Sequence, residues 1–329
     1  MARVAKAALV ACVLMTNLFA NLSANLAAAR ADDFPSRAIR VIEPYAAGGP
    51  SDTGARLAAE ALSRVLKQPV VVENRGGGGG LNATESYLAA EPDGYTILVG
   101  SIGPFTIIPA GKHVSYDVEK DFIPLGTVWR SALLLAVRKS LGAATVKDFV
   151  AYAKAHPGAT IGSAGVGAVT HLAGELFKRE AGIALVHVPF RSTGQTMPAL
   201  MGDQIDALFG DAPILAPQVT AGKITGLAVA SATRSAALPD VPTMGEAGFP
   251  GVVAESWFGY VVSAKTPPAI VKRLQDALVT AQSDPDYQGK LAAQGASAGE
   301  RGPAAFAALI KTDAAKWRRV VTEAGIKLE

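Results

Sequence analysis

The residues best able to bind a ligand gather in two glycine-rich turns. The first runs Tyr45-Ala46-Ala47-Gly48-Gly49-Pro50-Ser51-Asp52 and leads from an apolar run into an alanine-rich helical pattern. The second runs Gly162-Ser163-Ala164-Gly165-Val166-Gly167 and is followed by Thr170 and His171. Glycine lets the backbone approach a ligand closely, and free N–H groups at a helix start favour an anion. Ser51, Asp52 and Thr170 add oxygens near those helix starts. The first turn lacks the lysine of G-x-x-x-x-G-K-[ST] and also lacks G-x-G-x-x-G. Gly165 to Thr170 comes one residue short of a dinucleotide pattern, but the acidic residue expected downstream is not evident. Taken alone, the first turn reads as an ordinary helix start at Pro50 and Asp52.

Other chemistry is sparse. Gly76–Gly80 is a run of five glycines, which reads either as a flexible crossover or as backbone packed beside a ligand loop. The four histidines, His113, His156, His171 and His187, form no H-E-x-x-H, and no G-x-S-x-G is present. No catalytic residue, metal-ligand set or cofactor motif is assigned. A secreted α/β hydrolase is the rival reading, and it requires a base within reach of Ser163 or Ser101. Trp257, in a strand-like segment, reads as core or inter-lobe packing or as a stacking surface for a ligand.

The elements that position these residues alternate. Strands are expected at 39–44, 70–73, 96–99, 160–163, 185–189, 207–209 and 223–229. Helices are expected at 53–66, 81–90, 145–155 and 170–181, with another beginning at 197. Three more are expected at 268–282, 284–294 and 303–324. This predicts an α/β protein with mostly parallel strands. The two turns each read strand, glycine-rich turn, helix, and each stands near the start of one half of the chain. Two α/β lobes with a cleft between them explain the repeat.

Arg3 and Lys6, the apolar stretch Ala7–Phe19 and the ending Ala29-Arg30-Ala31 read as a signal peptide over residues 1–31. The sole cysteine, Cys12, falls inside it; a lipoprotein box at Leu9–Cys12 is a minor alternative. Of 31 basic residues, Arg3, Lys6 and Arg30 lie in that segment, leaving 28 against 28 acidic. A neutral chain without a basic stripe is not expected to bind nucleic acid.

Taken together, PYAAGGPSDTGAR, VVVENRGGGGG, PDGYTILVGS, SYDVEKDFIPL, IGSAGVGAVTHLAGELF, VHVPF, AGKITGLAVAS, LPDVPTMGEAGFPG and ESWFGYVVSAKTP resemble the periplasmic Bug receptors of tripartite tricarboxylate transporters. The resemblance implies a two-lobed periplasmic binding protein, type II-like, that closes on a small organic carboxylate and passes it to membrane permease subunits. Docking to a membrane signalling protein is an alternative role. It implies lobes at 33–131 plus 255–329 and at 132–254, and a monomer without cofactor is expected. By motif, the ligand-binding residues are Tyr45, Ala47, Gly48, Asp52, Ser101, Ser163, Ala164, Gly165 and Thr170, with His171 supporting the helix start. Two departures from the family pattern are Val188-Pro189-Phe190-Arg191-Ser192 and Phe209-Gly210-Asp211. Phe190, Arg191 and Asp211 are therefore candidates for the far end of the ligand. Arg191 pairs with a second carboxylate or snorkels at the rim; Asp211 binds an ammonium or hydroxyl, or balances Arg191.

Overall fold

The computed structural model describes residues 34–235 and 237–324. The expected signal segment, with Cys12, lies outside the described residues. In chain order the labelled elements are β1 (Ile39–Glu43), α1 (Pro50–Leu66), β2 (Val70–Asn74), α2 (Leu81–Tyr87), β3 (Thr96–Ser101), β4 (Phe122–Arg138), α3 (Val146–Ala155), β5 (Thr160–Ser163), α4 (Val169–Ala181), β6 (Val186–Pro189), α5 (Thr193–Met201), β7 (Ala207–Asp211), α6 (Ala212–Thr220), β8 (Ile224–Val229), β9 (Glu255–Ser263), α7 (Pro268–Gln282), α8 (Pro285–Ala293) and α9 (Pro303–Ala324).

The strands run in the order β2-β1-β3-β9-β4-β7-β5-β6, with β8 also paired to β4. β1 pairs in parallel with β2 and β3, and β5 with β6 and β7, so each half has a parallel set. The strands between those sets are antiparallel: β9 with β3 and β4, and β4 with β7 and β8. The expectation of a mostly parallel sheet is thus corrected to a mixed one. The reason is β4, which the sequence reading left unassigned. Pro124 and Gly126 look like punctuation within it, but register shifts beside them keep the strand going as bulges. Phe122–Ala132 of β4 pairs with β9, and Leu133–Arg138 pairs with β7 and β8. One long strand therefore passes from one half of the protein into the other.

Helix boundaries shift for local reasons. α1 begins at Pro50, whose fixed φ suits a first helical position. α5 begins at Thr193 rather than near Met197, because Ser192 accepts from Gln195 N–H as an N-cap. α3 opens with a capping box between Thr145 and Asp148.

Three apolar clusters surround the sheet. One packs α1 and α7 on β4 and β9 through Trp129, Tyr260 and Leu278. Another joins both halves through Phe149, Phe177, Trp257, Phe306 and Trp317. The third holds α5 and α6 against β4, β7 and β8. A large apolar side chain contributes about 1.5–3 kcal/mol when fully buried. Buried polar ends find partners: Tyr260 donates to Ala55 O and Tyr287 to Val128 O, each at 2.6 Å. Trp257 is core here, its Nε1 donating to Asp313 at 2.6 Å and its ring edge-on to Phe306.

Where β4, β9 and α9 meet, Gly259 leaves no room for a Cβ, which would fall 2.3 Å from Phe306 and 2.8 Å from the Gly126 carbonyl. Gly259→Ala should destabilise the fold by roughly 1–3 kcal/mol through overpacking, measured by urea unfolding; an unchanged midpoint would contradict this packing.

Candidate functional site

Both glycine-rich turns open into the space between the halves. At the first, α1 starts after Gly49, and no side chain caps it. At the second, α4 starts after Ala168, again without a side-chain cap. Gly49, Pro50 and Ser51 line one small inner chamber together with Ala168, Val169 and Thr170. Ser192 and Thr193, at the start of α5, and Asp211, at the start of α6, line it too. Four helix N-termini therefore converge on the same space, and their positive dipole ends favour an anion there. The chamber measures about 40 Å³. At about 10–15 Å³ of such volume per water, that suits a head group such as a carboxylate.

Tyr45 and Ala164 separate this chamber from an outer channel of about 340 Å³. The channel is walled by Gly77–Gly79, Asn82 and Lys112 on one side and by Gly165–Gly167, Phe190 and Arg191 on the other. The five-glycine run thus packs beside a cleft, with Gly77, Gly78, Gly79 and Gly80 all at positive φ. A Cβ on Gly79 would lie 2.7 Å from Val166 O, and one on Gly167 would lie 2.9 Å from Ile108. Glycine at these positions lets the two walls approach closely.

Of the expected residues, Tyr45, Ser101, Ala164, Thr170 and Asp211 line the inner chamber, and Gly165, Phe190 and Arg191 line the channel. Tyr45 OH lies 3.0 Å from Ser101 Oγ and donates to Gly79 O at 3.2 Å, tying the first turn to the glycine run. Thr170 Oγ1 accepts from Ala164 N–H at 2.9 Å, which closes the second turn and leaves its own hydroxyl proton to donate elsewhere. Arg191 is exposed at the channel wall and makes no ion pair with Asp211.

Ala47, Gly48, Asp52 and Ser163 line neither space. Ala47 and Gly48 are exposed. Asp52 faces inward and builds the turn, accepting from Gly48 N–H at 3.1 Å and Asn74 Nδ2 at 2.9 Å, with Arg56 at 2.9 Å. Burial opposes its ionisation, but Arg56, Gly48 and Asn74 outweigh burial and hold its carboxyl below the usual range.

Ser163 lies 2.6 Å from His187 Nε2, a hydroxyl–imidazole pair of the kind the hydrolase reading required. Ser163 is 1% exposed, its Oγ accepts from Gly165 N–H, and it lines neither space. His187 stacks on His171 with ring centroids 4.0 Å apart, and His171 Nδ1 accepts from Gly167 N–H at 3.4 Å. The pair buttresses the turn from behind. Among the described residues no cluster of three or more His, Cys, Asp or Glu could hold a metal ion.

Two buried carboxyls sit near the chamber. Glu43 lies beneath the first turn, accepting from Ser51 Oγ at 2.5 Å and Tyr45 N–H at 3.1 Å, while its Oε2 has no partner. Burial pushes its pKa up to about 8, partly offset by those hydrogen bonds. Burial raises Asp211 to about 6, offset by Ser131, Ser256, its own backbone and Thr193. Sequence reading missed Glu43, Lys112, Asn82, Ser192, Thr193 and Ser256. The spacing Ser192-x-x-Gln195 is a legible capping signal; the others are brought in by the fold.

Comparisons with known proteins agree with this architecture. The model described as "Tripartite tricarboxylate transporter family receptor" matches residues 54–326. Protein BugT of Bordetella pertussis is 32% identical over 302 residues, covering 91% of this chain and 93% of that protein. A solved periplasmic transporter is 39% identical, with a TM-score of 0.85 over 90% of this chain and 100% of its own. MatC of Rhodopseudomonas palustris, solved with bound malate, is 32% identical, with a TM-score of 0.83 over 88% and 100%. Among the described residues no helix is long and apolar enough to cross a membrane.

His171 yields a pH prediction. Burial, then His187 and Lys178, depress its pKa to about 3. The unfolded chain therefore binds a proton below about pH 6.5 that the folded chain refuses. Stability should fall as pH drops from about 6.5 towards 3, by up to about 1.4 kcal/mol per unit for this one group. His171→Phe should flatten that limb in denaturation profiles taken across the range; parallel profiles for the two proteins would contradict it.

Proposed function

We infer the function of this chain from its membership of a family: it belongs to the tripartite tricarboxylate transporter receptors, and we propose that it binds a small organic carboxylate in the inner chamber. The receptor class stands on that membership, and the chain is a solute-binding protein rather than an enzyme. The carboxylate reading is carried by one observation, the uncapped N-termini of α1 and α4 facing one chamber from opposite walls. A carboxylate accepts several charge-assisted hydrogen bonds, and neutral donors hold it without a permanent ion pair. Bound malate in the related MatC supports the same chemistry.

The roles follow from position. First-turn N–H groups of α1 and α4 and the hydroxyls of Thr170 and Ser101 donate to the carboxylate. Gly48 and Asp52 shape the first turn, and Ser163 with His187 shapes the second. Lys112 and Arg191 meet the distal part of the ligand in the channel. We assign residues 33–131 and 255–329 to one lobe and 132–254 to the other. These bounds follow the family resemblance, and they are supported by β4, which changes partners within one residue of the first bound, between Ala132 and Leu133, and by β9, which begins at Glu255. Closure of these lobes over the ligand reports occupancy to a membrane permease, to which the receptor is delivered as an exported periplasmic protein.

Titration calorimetry and thermal shifts with dicarboxylates, tricarboxylates, amino acids and aromatic acids test the reading. At least one carboxylate should bind; stabilisation only by a sugar or a metal would sink it. Thr170→Val should weaken carboxylate binding by roughly 1–3 kcal/mol, because a chamber donor is lost, while Thr170→Ser should retain it. Equal affinities for all three proteins would remove Thr170 from the site. Arg191→Ala should weaken dicarboxylates more than matched monocarboxylates, and equal losses would remove the distal role.

A further inference from the structure

The inner chamber carries a charge that a plain carboxylate ligand leaves unbalanced. Asp211 ends β7 at the N-cap of α6 and is 3% exposed. Its Oδ1 accepts from Ser131 Oγ at 2.9 Å, its Oδ2 accepts from Thr193 Oγ1 at 3.4 Å, and Ser256 also donates to it. These partners are neutral hydroxyls, and its own backbone N–H, also neutral, adds to them. Among the described residues that line the chamber, none is a lysine, arginine or histidine. The cleft's cations, Lys112 and Arg191, stand in the outer channel.

A ligand carboxylate entering a chamber of about 40 Å³ must share it with Asp211. Like charges in a small space disfavour each other's ionised forms. A hydroxyl beside the ligand carboxylate would donate one hydrogen bond but leave both negative charges in place. An ammonium in that position both donates and neutralises. The contact from Thr193, at 3.4 Å, is long, so a charged donor would replace it with a stronger bond.

We propose that Asp211 is the specificity-determining residue for an α-amino carboxylate, accepting a hydrogen bond from the ligand's ammonium while the helix starts of α1 and α4 hold its carboxylate. The inference rests on the carboxylate-receptor reading and narrows it to zwitterionic amino acids whose side chains extend into the outer channel.

The test uses the whole exported protein, freed of carried ligand by unfolding, dialysis and refolding. Calorimetry compares amino acids with the 2-hydroxy acids and unsubstituted carboxylic acids of the same carbon skeletons, in the wild type and in Asp211→Asn. Asparagine keeps the shape and is itself a favourable N-cap. The best amino acid should bind the wild type at least about tenfold more tightly than its two analogues. Asp211→Asn should erase that preference by weakening the amino acid alone. A hydroxy or unsubstituted acid that binds the wild type as tightly as the amino acid overturns this inference and leaves the receptor reading intact. An amino-acid preference that survives Asp211→Asn unchanged also overturns it. If no carboxylate of any kind binds, both readings fall. The ligand panel on the wild type decides the matter even if the variant fails to fold.

Discussion

A helix that starts at the wall of a narrow chamber leaves N–H groups that must find an acceptor. Here two such starts, α1 and α4, face the same chamber from opposite walls, and neither is capped by its own side chain. An exposed helix start meets this need with water or a cap. A chamber of about 40 Å³ offers little water, so the donors are held ready for a ligand oxygen. Most of what surrounds the cleft keeps them in place. Asp52 pulls in the Gly48 N–H, Thr170 pulls in the Ala164 N–H, and Tyr45 ties the first turn to the glycine run.

The sheet makes the opposition of those two starts possible. Each half presents a parallel set of strands whose carboxyl ends lead into the glycine-rich turns, the usual place for a ligand in such sheets. β4 runs through both halves and β9 enters one of them beside it, so the halves are joined by backbone ladders rather than by a loose linker. Across the cleft glycines make the close contacts, against backbone at Gly79 with Val166 and against a side chain at Gly167 with Ile108. Side chains there would hold the walls apart.

Charge in the cleft is arranged in layers. Behind the first turn, burial favours the protonated form of Glu43, so little negative charge accumulates near the donors. Asp52 is ionised but spends its charge on the turn itself, against Arg56 and Asn74. Asp211 faces the chamber, held by hydroxyls and its own backbone with no cation beside it in the chamber lining. Lys112 and Arg191 stand further out, in the channel. The hydroxyl–imidazole contact of Ser163 and His187 shows why proximity alone does not make a catalytic pair: the oxygen is spent on its own turn and closed to the cleft.

Much of the fold was legible in the sequence because it is written locally. Period-two and helical patterns marked most elements, and Pro268–Gln282 and Pro303–Ala324 were read to the residue. The glycine-rich turns announced themselves by composition, and with them Tyr45, Ala164 and Thr170. β4 was hidden because Pro124 and Gly126 act as bulges only when a partner strand is present. The remainder of the site had no local mark. Glu43 is an ordinary strand residue until burial changes its proton affinity, and Lys112 joins Arg191 in one channel only through the packing of distant segments. The sequence by itself determined where the donors are, since backbone N–H groups are freed by local turn chemistry. Which donors face each other, and which charges share their space, was decided by the tertiary structure, because burial and opposition exist only between parts of the chain that folding brings together.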